Sequence, residues 1–165
     1  MRVDQYMNWP VLTITPQTDF HRAFDFMHSR GIHHLPVVEG GRVVGIVAER
    51  DLLLAAANFG SAEVPVADIL RGPPVCVSPD AQLKRAAMLL VINHIGSLPV
   101  LNRRKELVGI ITETDIFKIA AGMLHAHRVP KKKAKKTASK AGRKPVKSAA
   151  KSKRKPAKKT AAKRN

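Results

Sequence analysis

An internal repeat constrains the fold of this chain more than any other feature. When the sequence is shifted by 63 positions, the Leu-Pro-Val segment at 35–37 falls on the same segment at 98–100. After a one-residue insertion the shift becomes 64, and Gly45 and Asp51 fall on Gly109 and Asp115. Two copies of one folding unit therefore fill the first 127 residues, with predicted boundaries at 1–60 and 61–127.

Within each copy the apolar spacing predicts the order β-α-β-β-α, a mixed α/β fold. The first helix is predicted because Phe20, Ala23, Phe24 and Met27 recur at helical spacing, with Thr18 or Asp19 as N-cap and Gly31 as the stop. The predicted strands are 11–14, 35–38 and 42–47, repeated at 75–77, 98–101 and 106–112. The second helices are predicted at 50–58 and 114–124.

Charge divides the chain into two parts. The last 35 residues hold 17 of its 30 Lys and Arg and none of its 12 Asp and Glu, so residues 1–130 are nearly neutral. The only apolar side chains from residue 131 onward are Ala and Val146, too few to form a core. Ordering a residue costs about 1 to 2 kcal/mol of backbone entropy, so residues 128–165 are predicted to be a disordered tail.

The composition of this tail predicts non-specific nucleic-acid binding. Its Lys, Ala, Ser, Thr and Pro texture resembles the tails of linker histones and of some bacterial histone-like proteins, and it has no aromatic residue on which a base could stack. A solubilising tail, a membrane surface and another polyanion remain alternatives. The candidate phosphate-binding residues are Lys131, Lys132, Lys133, Lys135, Lys136, Lys140, Arg143, Lys144, Lys147, Lys151, Lys153, Arg154, Lys155, Lys158, Lys159, Lys163 and Arg164.

Several classes of function lack a sequence signal. There is no signal region at the start and no run of 18 apolar residues, so we expect an intracellular, cytoplasmic protein, with nucleoid association as an option. Cys76, the single cysteine, is predicted to be a buried strand residue, and the histidine spacing predicts no metal site. Because no catalytic constellation is evident, an enzyme is not expected.

Both copies resemble the cystathionine-β-synthase (CBS) domain. The resemblance rests on the segments 11–16, 32–38 and 45–51, and on 66–70, 75–79, 95–100 and 109–115. It implies a tandem CBS pair, or Bateman module, whose halves pack about a pseudo-twofold axis. Such pairs are commonly regulatory sensors of adenosine-containing ligands and often form homodimers, so the implied ligand is AMP, ADP, ATP or an S-adenosyl compound.

The resemblance also implies a ligand site at a strand-to-helix junction. In copy two Asp115 would accept hydrogen bonds from ribose hydroxyls, and Thr112 would donate to a phosphate at the helix N-terminus. The base would lie near Ser97, Pro99 and Val77. The open alternative is that Thr112 and Asp115 form only a capping box.

Copy one offers a second candidate ligand site. It has Ala48 where copy two has Thr112, but it keeps Asp51 and adds Arg50 as a phosphate contact. His34 is a candidate lining residue, whereas Tyr6 and Trp9 are expected to anchor the N-terminal segment.

These features together predict a non-enzymatic regulatory protein. It would sense an adenine nucleotide through the repeats and bind nucleic acid through the tail. The alternative is an adaptor that binds a partner protein, with the tail serving only solubility or localisation.

Overall fold

The computed structural model describes residues 1–126, which lie within one compact unit, Met1–Lys131. The predicted disorder of residues 128–165 and the predicted phosphate contacts of the tail lie outside the described residues. Within residues 1–126 the two repeats build two two-stranded antiparallel sheets and four α-helices.

The order of elements follows the predicted repeat. In the first copy the elements are α1 (Phe20–Arg30), β1 (His34–Glu39), β2 (Arg42–Ala48) and α2 (Glu49–Phe59). In the second copy they are α3 (Leu83–Asn93), β3 (Ser97–Leu101), β4 (Leu107–Thr112) and α4 (Glu113–Ala120). Strand β1 pairs with β2, and β3 pairs with β4. The predicted mixed α/β class is confirmed.

The first strand of each copy is shorter than predicted. In place of strands at 11–14 and 75–77, the structure has single parallel bridges, Ile14 with Val37 and Val77 with Val100. Prolines limit each bridge on both sides. Pro36 and Pro99 have no backbone N–H to donate to the residue two positions before the bridge, and Pro16 and Pro79 have none with which to continue the ladder after it. The sheet pairing therefore ends after one residue.

Helix α1 has the caps that its sequence predicts. Asp19 is the N-cap, and its Oδ1 accepts a hydrogen bond from the backbone N–H of His21 at 2.9 Å. Gly31 ends the helix in the left-handed region, at a φ of 60°. In α3 the equivalent position is His94, which adopts a φ of 53° without the freedom of glycine.

The two copies exchange their leading segments. Val3, Tyr6 and Met7, which start the first copy, belong to the hydrophobic core of the second copy. Val66 belongs to the core of the first copy, and Leu70 packs against that core. Each core is therefore completed by residues that precede the other copy, and neither sequence repeat contains a whole core by itself.

Backbone hydrogen bonds fix this exchange with the symmetry of the repeat. The N–H of Val3 donates to the carbonyl of Ala81 at 2.9 Å, and the N–H of Val66 donates to that of Thr18 at 2.8 Å. Both the donors and the acceptors of these two bonds are 63 residues apart in the sequence. The two units are thus related as a pseudo-twofold axis requires.

Two glycines make room for the exchanged side chains. A Cβ at Gly109 would overlap Sδ of Met7, and a Cβ at Gly45 would lie 2.6 Å from Cδ2 of Leu70. The presence of glycine at this position of both copies therefore has a packing reason. Tyr6 is buried as expected for an anchor, whereas Trp9 is 44% exposed, so the anchoring role expected for Trp9 stays a prediction.

We expect Met7→Ala to lower the free energy of unfolding by about 2 to 5 kcal/mol. The reason is that Met7, which belongs to the first copy in sequence, is fully buried in the core of the second copy. Chemical denaturation of the full chain measures this change. The matched control is Met88→Ala on the exposed face of α3, where we expect a change of about 0.5 kcal/mol or less. Equal changes in the two variants would contradict the exchanged core.

Candidate functional site

A cavity of about 210 Å³ lies where the two copies meet, beside the start of α2. Its wall combines the end of β2 and the first turn of α2 with the segment that leads into the second copy. The lining residues are His34, Ile46, Ala48, Arg50, Asp51, Arg71, Gly72, Pro73, Pro74, Val75, Ile95, Gly96 and Ser97. The cavity therefore joins an apolar wall to charged groups from both copies.

Asp51 supplies the carboxylate of this cavity. Its Oδ2 accepts a hydrogen bond from the backbone N–H of Ala48 at 3.0 Å, which caps α2. Its Oδ1 is buried and accepts no hydrogen bond from the described residues. Nη2 of Arg71 lies 3.0 Å from this oxygen, close enough for an ion pair but without hydrogen-bond geometry. Oδ1 is thus an acceptor with unused capacity on a residue that lines the cavity.

Two arginines line the same cavity from different elements. Arg50 is in the first turn of α2, and Arg71 follows the short 3-10 turn Val66–Asp68 that packs on the first core. The side chain of Arg71 is 71% exposed, whereas that of Asp51 is 15% exposed. A largely exposed guanidinium therefore lies beside a nearly buried carboxylate.

His34 lines both this cavity and a larger neighbouring groove. Its Nε2 lies so close to the backbone of Gly96 that a Cβ there would be 2.6 Å away. Burial lowers the pKa of His34, and the nearby carboxylate of Glu113 opposes this shift. The neutral ring is therefore favoured in the folded protein.

The larger groove, of about 590 Å³, shares His34, Ala48, Arg50, Ile95 and Gly96 with the cavity. Its remaining wall is the facing surfaces of α3 and α4. Those residues include Ala87, Leu90, Val91, His94, Ile116 and Phe117. Because the two spaces share five lining residues, a ligand seated at Asp51 has room to extend along the groove.

The equivalent position in the second copy is filled by protein groups. Asp115 is buried, and its Oδ2 accepts hydrogen bonds from the Thr112 backbone N–H at 2.8 Å and the Thr112 hydroxyl at 2.7 Å. The side-chain amide of Asn8 donates to the same oxygen at 2.8 Å. The predicted capping box is therefore present, and the exchanged N-terminal segment closes over it.

The structure brings some of the candidate ligand residues together and separates others. Arg50, Asp51 and Ser97 line the 210 Å³ cavity. Thr112 and Asp115 line none of the three described cavities, and neither do Val77 and Pro99, which are buried and joined by a backbone hydrogen bond of 3.0 Å. Ligand contacts by these residues stay a prediction.

Sequence reasoning missed Arg71. It lies outside the strand-to-helix segment that the family resemblance emphasises, and its contact with Asp51 depends on the exchange of segments. The repeat shows only that the shift of 63 aligns Arg71 with Asn8, and it does not indicate that either residue reaches a helix-capping aspartate.

Two further findings concern other classes of site. Among residues 1–126, no cluster of three His, Cys, Asp or Glu side chains could hold a metal ion. None of the helices in that part of the chain is both long enough and apolar enough to cross a membrane.

Comparison with known proteins identifies the repeat. The CBS domain model matches residues 3–58 and again 66–122. The chain is 31% identical over 116 residues to an inosine-5'-monophosphate dehydrogenase of Korarchaeum cryptofilum, a match that covers 70% of this chain but only 24% of that enzyme. The chain therefore spans about a quarter of the dehydrogenase.

Solved structures share the fold. The CBS domain pair of protein MJ0100, in complex with 5'-methylthioadenosine and S-adenosyl-L-methionine, has a TM-score of 0.68 at 24% identity, covering 74% of this chain and 97% of that one. The CBS domain protein PAE2072 of Pyrobaculum aerophilum, complexed with AMP, has a TM-score of 0.67 at 20% identity, covering 74% and 98%. At these identities the likeness establishes the fold.

We expect the burial of His34 to make stability depend on pH. Because its folded pKa is below the usual 6.5, the unfolded chain takes up the proton first, and stability falls as the pH drops through the unfolded value. His34→Gln should therefore lose less stability than the wild type between about pH 7.5 and about pH 5.5. Denaturant titrations across this range measure the difference.

The neighbouring histidine provides the control for this measurement. The His33 side chain is mostly exposed and pairs with Glu49, so His33→Gln should not reproduce the effect. A wild-type pH slope in His34→Gln would contradict the role of burial.

Proposed function

Because the chain belongs to the CBS domain family and carries two CBS domains in tandem, we propose that it is a non-enzymatic regulatory protein that senses an adenine nucleotide. The candidate ligands are AMP, ADP, ATP and S-adenosyl compounds. The observation that carries the proposal is the unused buried oxygen of Asp51 at the 210 Å³ cavity.

The chemistry of the cavity suits the parts of a nucleotide. Asp51 Oδ1 can accept a hydrogen bond from a ribose hydroxyl, which would satisfy the buried acceptor. Ile46, Val75 and Ile95 offer apolar surface to the base. The two arginines and the N-terminal end of α2 offer positive charge to a phosphate. The adenosine compounds bound by the MJ0100 pair and the AMP bound by PAE2072 support the same ligand class.

The first copy is the better candidate for the occupied site. Asp51 lines the 210 Å³ cavity and has a buried oxygen without a hydrogen bond, whereas Asp115 lines none of the described cavities and its Oδ2 already accepts three hydrogen bonds. We therefore propose one nucleotide per chain, bound at Asp51. Binding at Thr112 and Asp115 would require Asn8 to move.

We expect Asp51→Asn to weaken nucleotide binding by about 10-fold to 150-fold, since a hydrogen bond to a charged group is worth about 1.5 to 3 kcal/mol. Asparagine keeps an acceptor for the Ala48 cap, so the fold should be unaffected. Calorimetric titration of AMP, ADP, ATP and S-adenosylmethionine into the full chain measures affinity and stoichiometry.

Two variants serve as controls for Asp51→Asn. Asp25→Asn makes the same chemical change at an exposed position of α1 and should bind like the wild type. Asp115→Asn tests the second copy. If this variant binds more weakly and Asp51→Asn does not, the nucleotide site is at Asp115 instead of Asp51. If none of the four compounds binds at concentrations up to about 1 mM, the sensor proposal is wrong and the adaptor alternative gains support.

We further propose that the basic tail binds nucleic acid without sequence preference. The support is its charge, with 17 Lys and Arg and no Asp or Glu in the last 35 residues. A homodimer, also proposed here, would bring two tails together and raise their effective concentration on one duplex. Exposed apolar side chains on three helices, Leu54, Val91, Ile92 and Phe117, support such an interface.

We expect removal of residues 131–165 to abolish most duplex binding, because the remaining chain is nearly neutral. Titrating a mixed-sequence duplex at several salt concentrations into the full chain and into residues 1–130 measures this. For the full chain, log K should fall with log salt by about 0.9 for each phosphate contacted. Equal affinity of the two proteins would contradict the proposed role of the tail, and competition by heparin tests whether DNA is preferred to another polyanion.

A further inference from the structure

We infer that Arg71 makes the Asp51 cavity selective for phosphorylated adenine nucleotides over adenosine and S-adenosyl compounds. This inference rests on the proposed function and names the ligand subclass of the same site. It is carried by a difference between two residues at equivalent positions of the repeat, one beside each helix-capping aspartate.

The two contacts occupy the same place in the repeat. The segment exchange brings Arg71 to Asp51, with Nη2 3.0 Å from Oδ1, and brings Asn8 to Asp115, with Nδ2 2.8 Å from Oδ2. Arg71 and Asn8 are 63 residues apart, and the two aspartates are 64 apart. One position of the exchanged segment thus supplies the partner of the helix-capping carboxylate in both copies.

The identity of that partner differs in charge and in exposure. Asn8 is a short neutral donor in a closed hydrogen-bond network with Thr112. Arg71 is a long cation, 71% exposed, beside an open cavity. A second cation differs in the same way, since Arg50 in the first copy aligns with Thr114 in the second. At these two positions the first junction therefore has cations and the second has neutral side chains.

The ion pair of Arg71 with Asp51 is easy to exchange. It lacks hydrogen-bond geometry, and one partner is largely in solvent, where ion pairs contribute little stability. A ribose hydroxyl can replace Arg71 at Oδ1 by supplying the hydrogen bond that the guanidinium does not make. The displaced guanidinium then needs a new anion, and its planar fork of N–H donors fits a phosphate.

This exchange favours a ligand that carries both a ribose and a phosphate. Adenosine can donate a ribose hydrogen bond to the Asp51 carboxylate, but it has no anion to pair with the displaced Arg71. S-adenosylmethionine places a sulfonium cation near two guanidinium groups, so like charges oppose its binding. A phosphorylated nucleotide satisfies the carboxylate and both cations together.

The test is Arg71→Asn, which places beside Asp51 the same residue type that lies beside Asp115. Calorimetric titration of ADP, adenosine and S-adenosylmethionine into the full chain should show ADP affinity reduced by about tenfold or more, with adenosine affinity unchanged or increased severalfold. The preference for ADP over adenosine should therefore fall by at least about tenfold. Arg103→Asn, an exposed arginine in the β3–β4 turn, is the matched control and should keep the wild-type preference.

The outcomes separate this inference from the proposed function. If wild-type protein binds adenine compounds but Arg71→Asn keeps the same preference, or weakens ADP and adenosine equally, the role of Arg71 is overturned and the sensor proposal stands. If wild-type protein binds none of these three compounds and neither AMP nor ATP, both proposals fail. Circular dichroism and thermal unfolding of Arg71→Asn check that the exposed substitution leaves the fold intact.

Discussion

The exchange of leading segments between the two copies is the interaction on which the rest of the structure depends. Each sheet has only two strands, which is too little to form a stable core without further cover. The missing cover comes from Val3 and Met7 for one copy and from Val66 and Leu70 for the other. Because each copy completes the core of the other, a substitution in either leading segment should destabilise the opposite core.

The same exchange builds the candidate site. The residues that follow each packed segment reach the capping carboxylate of the opposite helix, so positions 8 and 71 lie beside Asp115 and Asp51. A symmetric backbone thus presents two equivalent sites that differ only in side chains. Where the helix start has Thr112 and the segment has Asn8, one oxygen of the carboxylate accepts three protein donors. Where they are Ala48 and Arg71, one oxygen stays without a hydrogen bond beside a cavity.

The sequence predicted features that depend on neighbouring residues, such as the caps of α1, but it did not predict the contact between Arg71 and Asp51. Helical spacing, the Asp19 cap and the Gly31 stop specify α1 through residues close in the chain, and the structure agrees. The strand at 11–14 was overestimated because the apolar run does not reveal that it lies beside Pro36, which has no N–H to donate to it. Arg71 could not be connected with Asp51 from the sequence, since the two meet only after Val66 packs on the opposite core. The hydroxyl of Thr112 likewise suits a phosphate or a cap equally well until its neighbours are known.

A ligand at Asp51 would act on the contact between the copies, because its site takes Asp51 and Arg50 from one copy and Ser97 from the other. The groove next to it is bounded by α4, the last helix before the tail in the chain, through Glu113, Ile116 and Phe117. A ligand that extends into the groove would contact α4, the last described helix before the tail. Thermodynamic linkage then requires reciprocity: if the nucleotide alters the affinity of the tail for DNA by some factor, DNA alters the affinity for the nucleotide by the same factor.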